Sequence, residues 1–536
     1  MMRRGGDMRG AILAFVLICS LACGALAALA PTARAAPAVA PLPTATSATA
    51  PEVAAITLPE AIPVPDSGAL PLSSALRPGP EHADLAAAGY EEAEYYLVGK
   101  APAIDGDGHV RVAAAPYITR ILVRRPADPA RFNGTVVIEP FSWFGARAAG
   151  WILTRAYLLR RGYAFVAYTL DINAPAADPK FPPVPGEASN SDQAQYGGIV
   201  NLEFMRRFDY PRYAPLGSYY DPKRFLRGGA PDPFLPQAQG IGAELALLLR
   251  TPSADGPMAG LAVRRVYVDS WAVQAQVWFD YLDQGRHQQW RRPDGGPLID
   301  AYMTGRFSYG EVAGAPRRIP RGLPADVPFV TVYSQSETVH DAIEHIALPP
   351  DSDRPMLRYV EVMGTPHLRA ADLGTGEVEP LPNQRGHGDD PRCQAIYDEP
   401  AELPFSALLD AMDRWVRTGA PMPRYPRVVR TANGVRRDPR TQAIVGGMRP
   451  PWITVPAFEY WTDFETGCGT VYDSKRAFSP AQMRKLYGSY AGYARRFAAA
   501  TRAAVTAGII LPEDAASLVP PAGPEAFAPS SGPSPR

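Results

Sequence analysis

The sequence has no excess of charge of either sign. Its 54 Lys and Arg residues balance 54 Asp and Glu residues, so the formal net charge at pH 7 is zero. A nucleic-acid-binding surface is expected to have a cluster of basic residues interleaved with aromatic ones. The sequence contains no such cluster. These absences argue against nucleic acid as a partner. No internal repeat is visible either.

Cysteine is scarce, with four residues in a chain of 536. Cys19 and Cys23 lie in an apolar segment near the N-terminus, so only Cys393 and Cys468 belong to the rest of the chain. In an oxidising compartment these two residues could form one disulfide. Two separate buried thiols are the alternative.

The first 35 residues have the organisation of a secretory signal peptide. Arg3, Arg4 and Arg9 precede an apolar run from residue 11 to 30, and residues 33–35 read Ala-Arg-Ala, a small-residue cleavage pattern. We therefore expect residues 1–35 to be removed and the mature protein to be secreted or periplasmic. The run is also long enough to cross a bilayer, so an uncleaved anchor is the alternative and would be the only reason for membrane contact.

Proline is abundant, with 59 residues, and many of them lie before residue 85, between residues 172 and 236, and after residue 511. Residues 36–85 are rich in Ala and Pro and are expected to form a flexible lead-in, and residues 513–536 are expected to form a disordered tail. Between them, residues 86–512 are long enough for one large domain with insertions. Within it, residues 171–232 have no clear period and predict a lid-like insertion, and residues 420–512 predict an extension packed on the domain.

Apolar runs typical of strands alternate with helical patterns. Besides the element described next, strands are predicted at 93–98, 117–123, 135–139, 163–170, 298–303, 329–333 and 358–362, and helices at 145–161, 237–250, 405–418 and 480–507. This alternation predicts an α/β fold with a mostly parallel, twisted sheet, helices on both faces and one or two antiparallel strands.

One junction between a strand and a helix carries the strongest functional signal. An apolar strand that begins near residue 264 leads without a long loop into a helix with Val273, Val277 and Tyr281 on one face. In α/β-hydrolases such a junction reads Gly-x-Ser-x-Gly, and its sharp turn exposes the nucleophilic serine. Here it reads Ser270-x-Ala272-x-Gln274. The position is that of a nucleophile, but the residue is alanine.

Candidates for the other catalytic positions follow two later strands and one earlier one. Glu337 comes after the strand at 329–333, and His367 comes after the strand at 358–362, which is the chain order of an acid and a histidine in this fold. The oxyanion donors would be the N–H groups of Val273 and of Phe141, or of Ser142 in place of Phe141, because Pro140 has none. The aromatic run at 141–144 predicts either a pocket lining or simple wall packing.

Three segments resemble a family of bacterial proteins known as α/β hydrolase domain proteins. They are residues 116–139, the Gly-Thr-Pro-His turn at 364–367 and the Asp-Arg-Trp-Val segment at 413–416, and the likeness extends from about residue 84 to 514. The resemblance implies an α/β-hydrolase fold with carboxylic-ester hydrolase chemistry. Family members usually have Gly-Glu-Ser-Gln-Ser-Ala at the junction, which places Ala272 at the nucleophile, Ser270 at the first glycine and Gln274 at the second serine. The family's Glu-Thr-Asp acid loop is replaced by residues 335–337, and only the histidine is unaltered.

Three hypotheses follow from these residues. The first is an exported protein of serine ester hydrolase descent whose nucleophile position is Ala272, weakly active or inactive, with a retained pocket for an ester-like small molecule. The second is an active carboxylic-ester hydrolase that uses Ser270 with His367 and Glu337. The third is a cell-surface binding protein that uses the insertion at 171–232.

No cofactor and no metal are expected. His340 and His345 lie five residues apart, which places them on different faces of a helix. Residues 105–109 resemble the start of a calcium loop but lack its later ligands, so they predict a turn between antiparallel strands. His109 and His287 are expected at the surface.

Overall fold

A ten-stranded mixed sheet forms the centre of the protein. Its strands lie in the order Glu60–Pro63 (β1), Tyr90–Ile104 (β2), Val110–Pro126 (β3), Ala164–Tyr168 (β5), Thr135–Pro140 (β4), Arg265–Trp271 (β9), Ala301–Gly305 (β10), Phe329–Tyr333 (β11) and Leu357–Glu361 (β12), and Gly217–Ser218 (β6) pairs with β3. The computed structural model describes residues 55–75, 85–141, 148–170, 202–219, 226–227, 230–231, 235–305, 319–346, 354–367, 369, 392, 395–396, 399–466 and 473–528. Strands β5, β4, β9, β10, β11 and β12 run parallel to one another, and β1, β2, β3 and β6 pair antiparallel. The expected α/β class and mostly parallel sheet are confirmed.

The strands have the following bounds. They are β1 Glu60–Pro63, β2 Tyr90–Ile104, β3 Val110–Pro126, β4 Thr135–Pro140, β5 Ala164–Tyr168, β6 Gly217–Ser218, β7 Leu226–Arg227, β8 Ala230–Pro231, β9 Arg265–Trp271, β10 Ala301–Gly305, β11 Phe329–Tyr333, β12 Leu357–Glu361, β13 Ala395–Ile396, β14 Arg430–Thr431, β15 Gly434–Val435, β16 Phe458–Trp461 and β17 Ser474–Ala477.

The α-helices are α1 Leu72–Ala75, α2 Ala149–Arg161, α3 Leu202–Phe208, α4 Tyr210–Tyr213, α5 Ala238–Arg250, α6 Ala275–Asp283, α7 Arg286–Gln289, α8 Gln335–Ile343, α9 Glu402–Thr418, α10 Pro451–Thr454, α11 Asp463–Thr466, α12 Pro480–Tyr487, α13 Tyr490–Thr506 and α14 Pro512–Ala515. Short 3₁₀ helices lie at Pro129–Arg131, Ala272–Gln274 and Pro524–Phe527. Within the described ranges, every helix is too short or too polar to cross a bilayer.

Both faces of the sheet are covered, which explains why its parallel strands are continuous apolar runs. Every residue of β4, β5, β10, β11 and β12 is buried. In β9 the side chains alternate between two cores: Val266 and Val268 pack on the side of α5 and α6, whereas Tyr267 and Trp271 pack on the side of α2 and α9. The strand that leads to the candidate nucleophile position is therefore fixed from both sides.

A buried arginine fastens two peripheral segments to the sheet. Arg120 of β3 is fully buried and pairs with Glu94 of β2 at 2.6 Å. Its guanidinium also donates to Ser73 Oγ at 2.9 Å and to Tyr213 Oη at 3.1 Å. Residues 55–75 and 202–219 are thereby joined to the same charged centre.

Several segments differ from the sequence-based expectations. Residues 55–75 contain β1 and α1 where a flexible lead-in is expected, and the aperiodic stretch 171–232 contains α3 and α4. The single helix expected at 480–507 is two, because Gly488 has a φ of 79° and ends α12. Residues 512–528 form α14 and a 3₁₀ helix rather than a disordered tail, and Glu513 and Asp514 pair with arginines at the end of α2.

Some expectations fall on residues outside the described ranges. These are the signal peptide at 1–35, most of the insertion at 171–232, and both partners of the candidate disulfide, Cys393 and Cys468. They stay predictions.

Candidate active site

The turn after β9 has the geometry that its sequence predicts. The strand ends at Trp271, a single 3₁₀ turn covers Ala272–Gln274, and α6 begins at Ala275. Ala272 has a φ of 53°, and among the described residues only two other non-glycine residues have a positive φ. Such a conformation costs on the order of 1–3 kcal/mol and persists where the surroundings impose it. Ala272 is therefore the apex of a sharp, strained turn between strand and helix, and it keeps partial exposure while Trp271 and Gln274 are buried.

Ser270 does not share that position. It lies within β9, is fully buried, and faces the same core as Val266 and Val268. Its Oγ has no hydrogen-bond partner in the described part of the chain. Its Oγ therefore forms no hydrogen bond with Glu337 or His367.

The carboxyl group of Glu337 is fixed as a hydrogen-bond acceptor at the start of α8. It is the third residue of the helix and 1% exposed, and its Oε2 accepts from the backbone N–H of Ser334 at 2.7 Å and from the Ser334 hydroxyl. Because the Ser334 side chain also accepts from the backbone N–H of Glu337, the two residues form a capping box. A carboxylate is favoured near a helix N-terminus, so local structure fixes the place of this side chain.

His367 meets Glu337 directly. The Nδ1 atom of His367 is hydrogen-bonded to Glu337 Oε1, and the imidazole is 12% exposed. The backbone N–H of His367 donates to Ser336 Oγ at 2.9 Å. The acid and the histidine that the sequence singles out are thus brought together. With Nδ1 held by the carboxylate, proton exchange with a bound molecule runs through Nε2.

Further hydrogen bonds join the turn that carries His367 to the start of α8. Gln335 donates its backbone N–H to the carbonyl of Thr365 at 2.9 Å, and its Oε1 accepts from the N–H of Gly364 at 3.0 Å. Gly364 has a φ of 69°, which a residue with a Cβ rarely adopts. The two loops form one hydrogen-bonded unit.

The C-terminal extension supports this unit, which the sequence did not predict. The Ser336 hydroxyl donates to Asp473, and Trp452 Nε1 donates to the carbonyl of Gly364 at 3.0 Å. Gln335 Nε2 reaches the carbonyl of Tyr460 at 3.2 Å. The sequence signals only that residues 420–512 contain aromatics and pack on the domain. The pairing of distant polar groups has no local pattern.

Sheet topology places the three positions along one edge. Strands β9, β10, β11 and β12 are consecutive parallel neighbours. Their carboxyl ends therefore meet at one edge, where Ala272 follows β9, Glu337 follows β11 and His367 follows β12.

One expected oxyanion donor is wrong. The backbone N–H of Phe141 donates to the carbonyl of Tyr168 at 2.8 Å, because hydrogen bonding between β4 and β5 continues one residue past the strand. That group is already used. Ser142, the other choice, lies outside the described residues. Val273 is the second residue of the 3₁₀ turn, where the first N–H groups of a helical segment have no intrahelical acceptor, and its role as a donor stays a prediction.

Two carboxyl groups lie buried directly beneath the turn. Asp269 of β9 and Glu139 of β4 follow the paired residues Val268 and Ile138, and they are 0% and 1% exposed. Both lie against Gly150, since a Cβ there would be 2.1 Å from Asp269 Oδ2 and 2.8 Å from Glu139 Oε2. The N–H of Gly150 donates to Glu139 Oε1 at 2.9 Å.

These carboxyl groups resist ionisation. Burial raises the pKa of Asp269 to about 8, although its indole neighbour Trp271 lowers the pKa. Burial and then the charge of Asp269 raise the pKa of Glu139, against the effect of the helix N–H groups. Two carboxylates this close do not both carry charge at neutral pH. The pair, which we call the buried carboxyl pair, therefore holds at least one proton there.

The remaining histidines have structural surroundings. His287 is buried, and the expectation that it lies at the surface is wrong, because α7 turns its ring between Tyr302 Oη and Asp326, each at 2.8 Å. His109 is exposed, as expected. Its neighbours Asp105 and Asp107 bring carboxylate oxygens within 4.8 Å of its ring nitrogens.

That small cluster has the form of a turn. The Asp105 carboxylate already pairs with Arg111 at 2.7 Å and accepts the backbone N–H of His109 at 2.9 Å. It connects β2 to β3, the antiparallel pair that the sequence predicts. His340 stacks edge-on against Phe464, and His345, with a φ of 56°, lies beyond the end of α8.

A mostly parallel sheet whose carboxyl edge carries a strained strand-to-helix turn, an acid and a histidine in that chain order defines an α/β-hydrolase fold. The chain belongs to the alpha/beta hydrolase domain family, which it matches over residues 58–520. A comparison with curated proteins finds no match.

Several solved structures with some likeness are described as esterases. Esterase Est22 is 11% identical, with 49% of this chain and 69% of that chain covered and a TM-score of 0.25. The hyperthermophilic esterase from the archeon Pyrobaculum calidifontis is 10% identical, with 53% and 79% covered and a TM-score of 0.25. A cold-adapted esterase from an Arctic intertidal metagenomic library is 9% identical, with 45% and 71% covered and a TM-score of 0.20. At these values the likeness carries no argument about substrate.

Proposed function

We propose that this protein binds an ester-like small molecule at the carboxyl edge of its sheet and does not form an acyl-enzyme there. It would be a member of a hydrolase family in which Ala272 occupies the nucleophile position. Glu337 and His367 would be the retained acid and base. Any esterase activity would be weak.

The conformation of Ala272 carries this proposal. A positive φ at the apex of the turn is what an exposed nucleophile requires, and alanine gains nothing chemical from it. The residue is partly exposed, as is His367. The alternative, in which Ser270 is the nucleophile, is less well supported because the Ser270 side chain is buried in the core on the α5 and α6 side of β9.

The chemical consequence follows from the missing hydroxyl. Acyl transfer needs an oxygen or sulfur nucleophile that the histidine can deprotonate. Removing the nucleophile of a serine hydrolase lowers kcat by about 10⁴–10⁶-fold, and what remains comes from binding and oxyanion stabilisation. A methyl group at the apex therefore leaves the site able to bind and to exchange protons.

The proposal is tested with a fluorophosphonate probe, which labels activated serines covalently. The wild-type protein should show no stoichiometric labelling, and the Ala272→Ser variant should be labelled at residue 272. Binding is measured separately by the thermal shift with p-nitrobutyranilide, the amide isostere of an ester substrate. Stoichiometric labelling of any serine in the wild-type protein would contradict the proposal, as would absence of a thermal shift with the anilide.

We further propose that the protein is exported, on the basis of residues 1–35. N-terminal sequencing of the protein from its native host should begin after Ala35. A chain that still carries the apolar run would instead support a membrane anchor.

A further inference from the structure

The candidate site keeps an acid, Glu337, and a histidine, His367, but lacks the serine hydroxyl that such a histidine normally deprotonates. Resting on the function proposed above, we infer that the protein hydrolyses activated esters directly, with His367 acting as a general base on a water molecule above Ala272. Because water is a weaker nucleophile than an activated serine, the substrate class is esters with good leaving groups. No covalent intermediate forms.

The first support is the amount of structure devoted to His367. Its Nδ1 is bonded to a carboxylate that is itself fixed by a capping box, and its backbone N–H is bonded to Ser336. The turn that carries it is bonded to α8 and to Trp452. Burying the carboxyl group of Glu337 in this place is costly unless it is hydrogen-bonded, and His367 supplies one of its hydrogen bonds. The arrangement sets the tautomer in which Nε2 accepts a proton.

The second support is that other hydroxyl groups at this edge are already engaged. Ser334 donates to Glu337, and Ser336 donates to Asp473. Thr338 donates to the carbonyl of Ser334, and Thr365 donates to the carbonyl of Val362, each at 2.8 Å. These four hydroxyl groups are therefore not poised to replace the missing nucleophile, and Ser270 and Thr304, whose Oγ atoms have no partner in the described part of the chain, are fully buried. Water is the remaining source of a hydroxyl.

The third support is the shape of the turn. Ala272 keeps the strained apex conformation and partial exposure that a nucleophilic serine has in such a turn. Compared with serine, alanine frees the volume of one oxygen atom at the point of attack. A water molecule there would stand where the Oγ would have stood.

The step balances without a cofactor. The oxygen of water forms a bond to the carbonyl carbon while one of its protons passes to Nε2 of His367. The tetrahedral intermediate then breaks the bond to the ester oxygen, and the proton on Nε2 passes to the departing alkoxide. One water molecule is consumed, and a carboxylic acid and an alcohol are released. General-base catalysis of this kind contributes about 10²–10⁴-fold.

The test uses the mature full-length protein and p-nitrophenyl butyrate. We expect slow, multiple-turnover hydrolysis with no initial burst, and a fall of about 10²-fold or more in the His367→Ala variant. His109 supplies a matched control, since it is an exposed imidazole 3.4 Å from the Asp105 carboxylate. His109→Ala should leave the rate unchanged, which separates site chemistry from ordinary imidazole reactivity.

Mass spectrometry of acid-quenched reactions decides the route. The Ala272→Ser variant should accumulate an acyl adduct and show a burst, whereas the wild-type protein should carry no adduct on any residue. An adduct on the wild-type protein overturns the inference, as does equal loss of rate in His109→Ala and His367→Ala. Absence of turnover, with a thermal shift still produced by the anilide, overturns this inference and leaves the proposed function standing.

Discussion

The buried carboxyl pair beneath Ala272 makes the stability of this protein depend on pH in a way that one substitution should remove. The perturbation is Asp269→Asn, which keeps the shape of the side chain and replaces a group that holds a proton by one that is always neutral. Burial raises the pKa of Asp269 from 3.8 to about 8 in the folded state. In the unfolded chain the group is ionised above pH 4.

The direction in which the unfolding free energy changes with pH follows from proton binding. Between about pH 4 and pH 8 the folded protein keeps a proton on Asp269 that the unfolded chain releases. The stability that this proton contributes is fully present below the unfolded pKa and is lost as pH rises through the folded one. For one proton the free energy of unfolding falls by about 1.4 kcal/mol per pH unit. The difference in unfolding free energy, wild type minus Asp269→Asn, should therefore fall with that slope from pH 5 to 7 and level off above pH 9.

The assay is urea unfolding of both proteins at pH 5, 6, 7, 8 and 9, because subtraction removes the contribution of all other groups. Asp438→Asn is the control. Although burial opposes it, the N–H groups of Arg440 and Thr441 hold the pKa of Asp438 below its usual value. Its difference curve should be flat over this range. A flat curve for Asp269→Asn as well would refute the account of the buried carboxyl pair.

Three other substitutions test neighbouring contacts. Gly150→Ala places a Cβ 2.1 Å from Asp269 Oδ2 and should lower the unfolding free energy by about 1–3 kcal/mol, measured by urea unfolding. Arg120→Met leaves the Glu94 carboxylate buried without its main cation and should cost about 3–5 kcal/mol, whereas the double variant with Glu94→Gln should recover part of the loss. Asp473→Asn, made in the Ala272→Ser background, should lower kcat for p-nitrophenyl butyrate while leaving the fluorescence melting temperature within a few degrees; unchanged kcat would remove Asp473 as a support of the histidine turn.

The elements that consist of adjacent residues, such as a single strand or turn, can be predicted from the sequence. Strand β11 falls at the predicted residues, because a short continuous run of β-branched and aromatic residues is typical of a parallel strand covered on both faces. The turn at Ala272 is recognisable for the same reason, since strand, apex and helix are adjacent in the chain. Glu337 is recognisable as the residue three positions after Ser334, which is the spacing of a capping box.

The parts that escape prediction depend on pairing across the molecule. Phe141 lost its expected role because its N–H joins a neighbouring strand, and nothing in its own segment signals that. Asp473 reaches Ser336 over a separation of 137 residues. The buried carboxyl pair did leave a trace, since Glu139 and Asp269 are acidic residues at the ends of apolar strands. Their meeting becomes evident only when β4 and β9 are known to be neighbours.

The dependence of the histidine turn on Trp452, Tyr460 and Asp473 sets an order of events during synthesis. The strands and the loop with His367 leave the ribosome well before the groups that brace them. The earlier residues can collapse into a sheet, but the contacts that brace the histidine turn form only after residues 452–473 have emerged. A chain cut short by premature termination or proteolysis before residue 452 would therefore lack the groups that brace its proton-transfer centre.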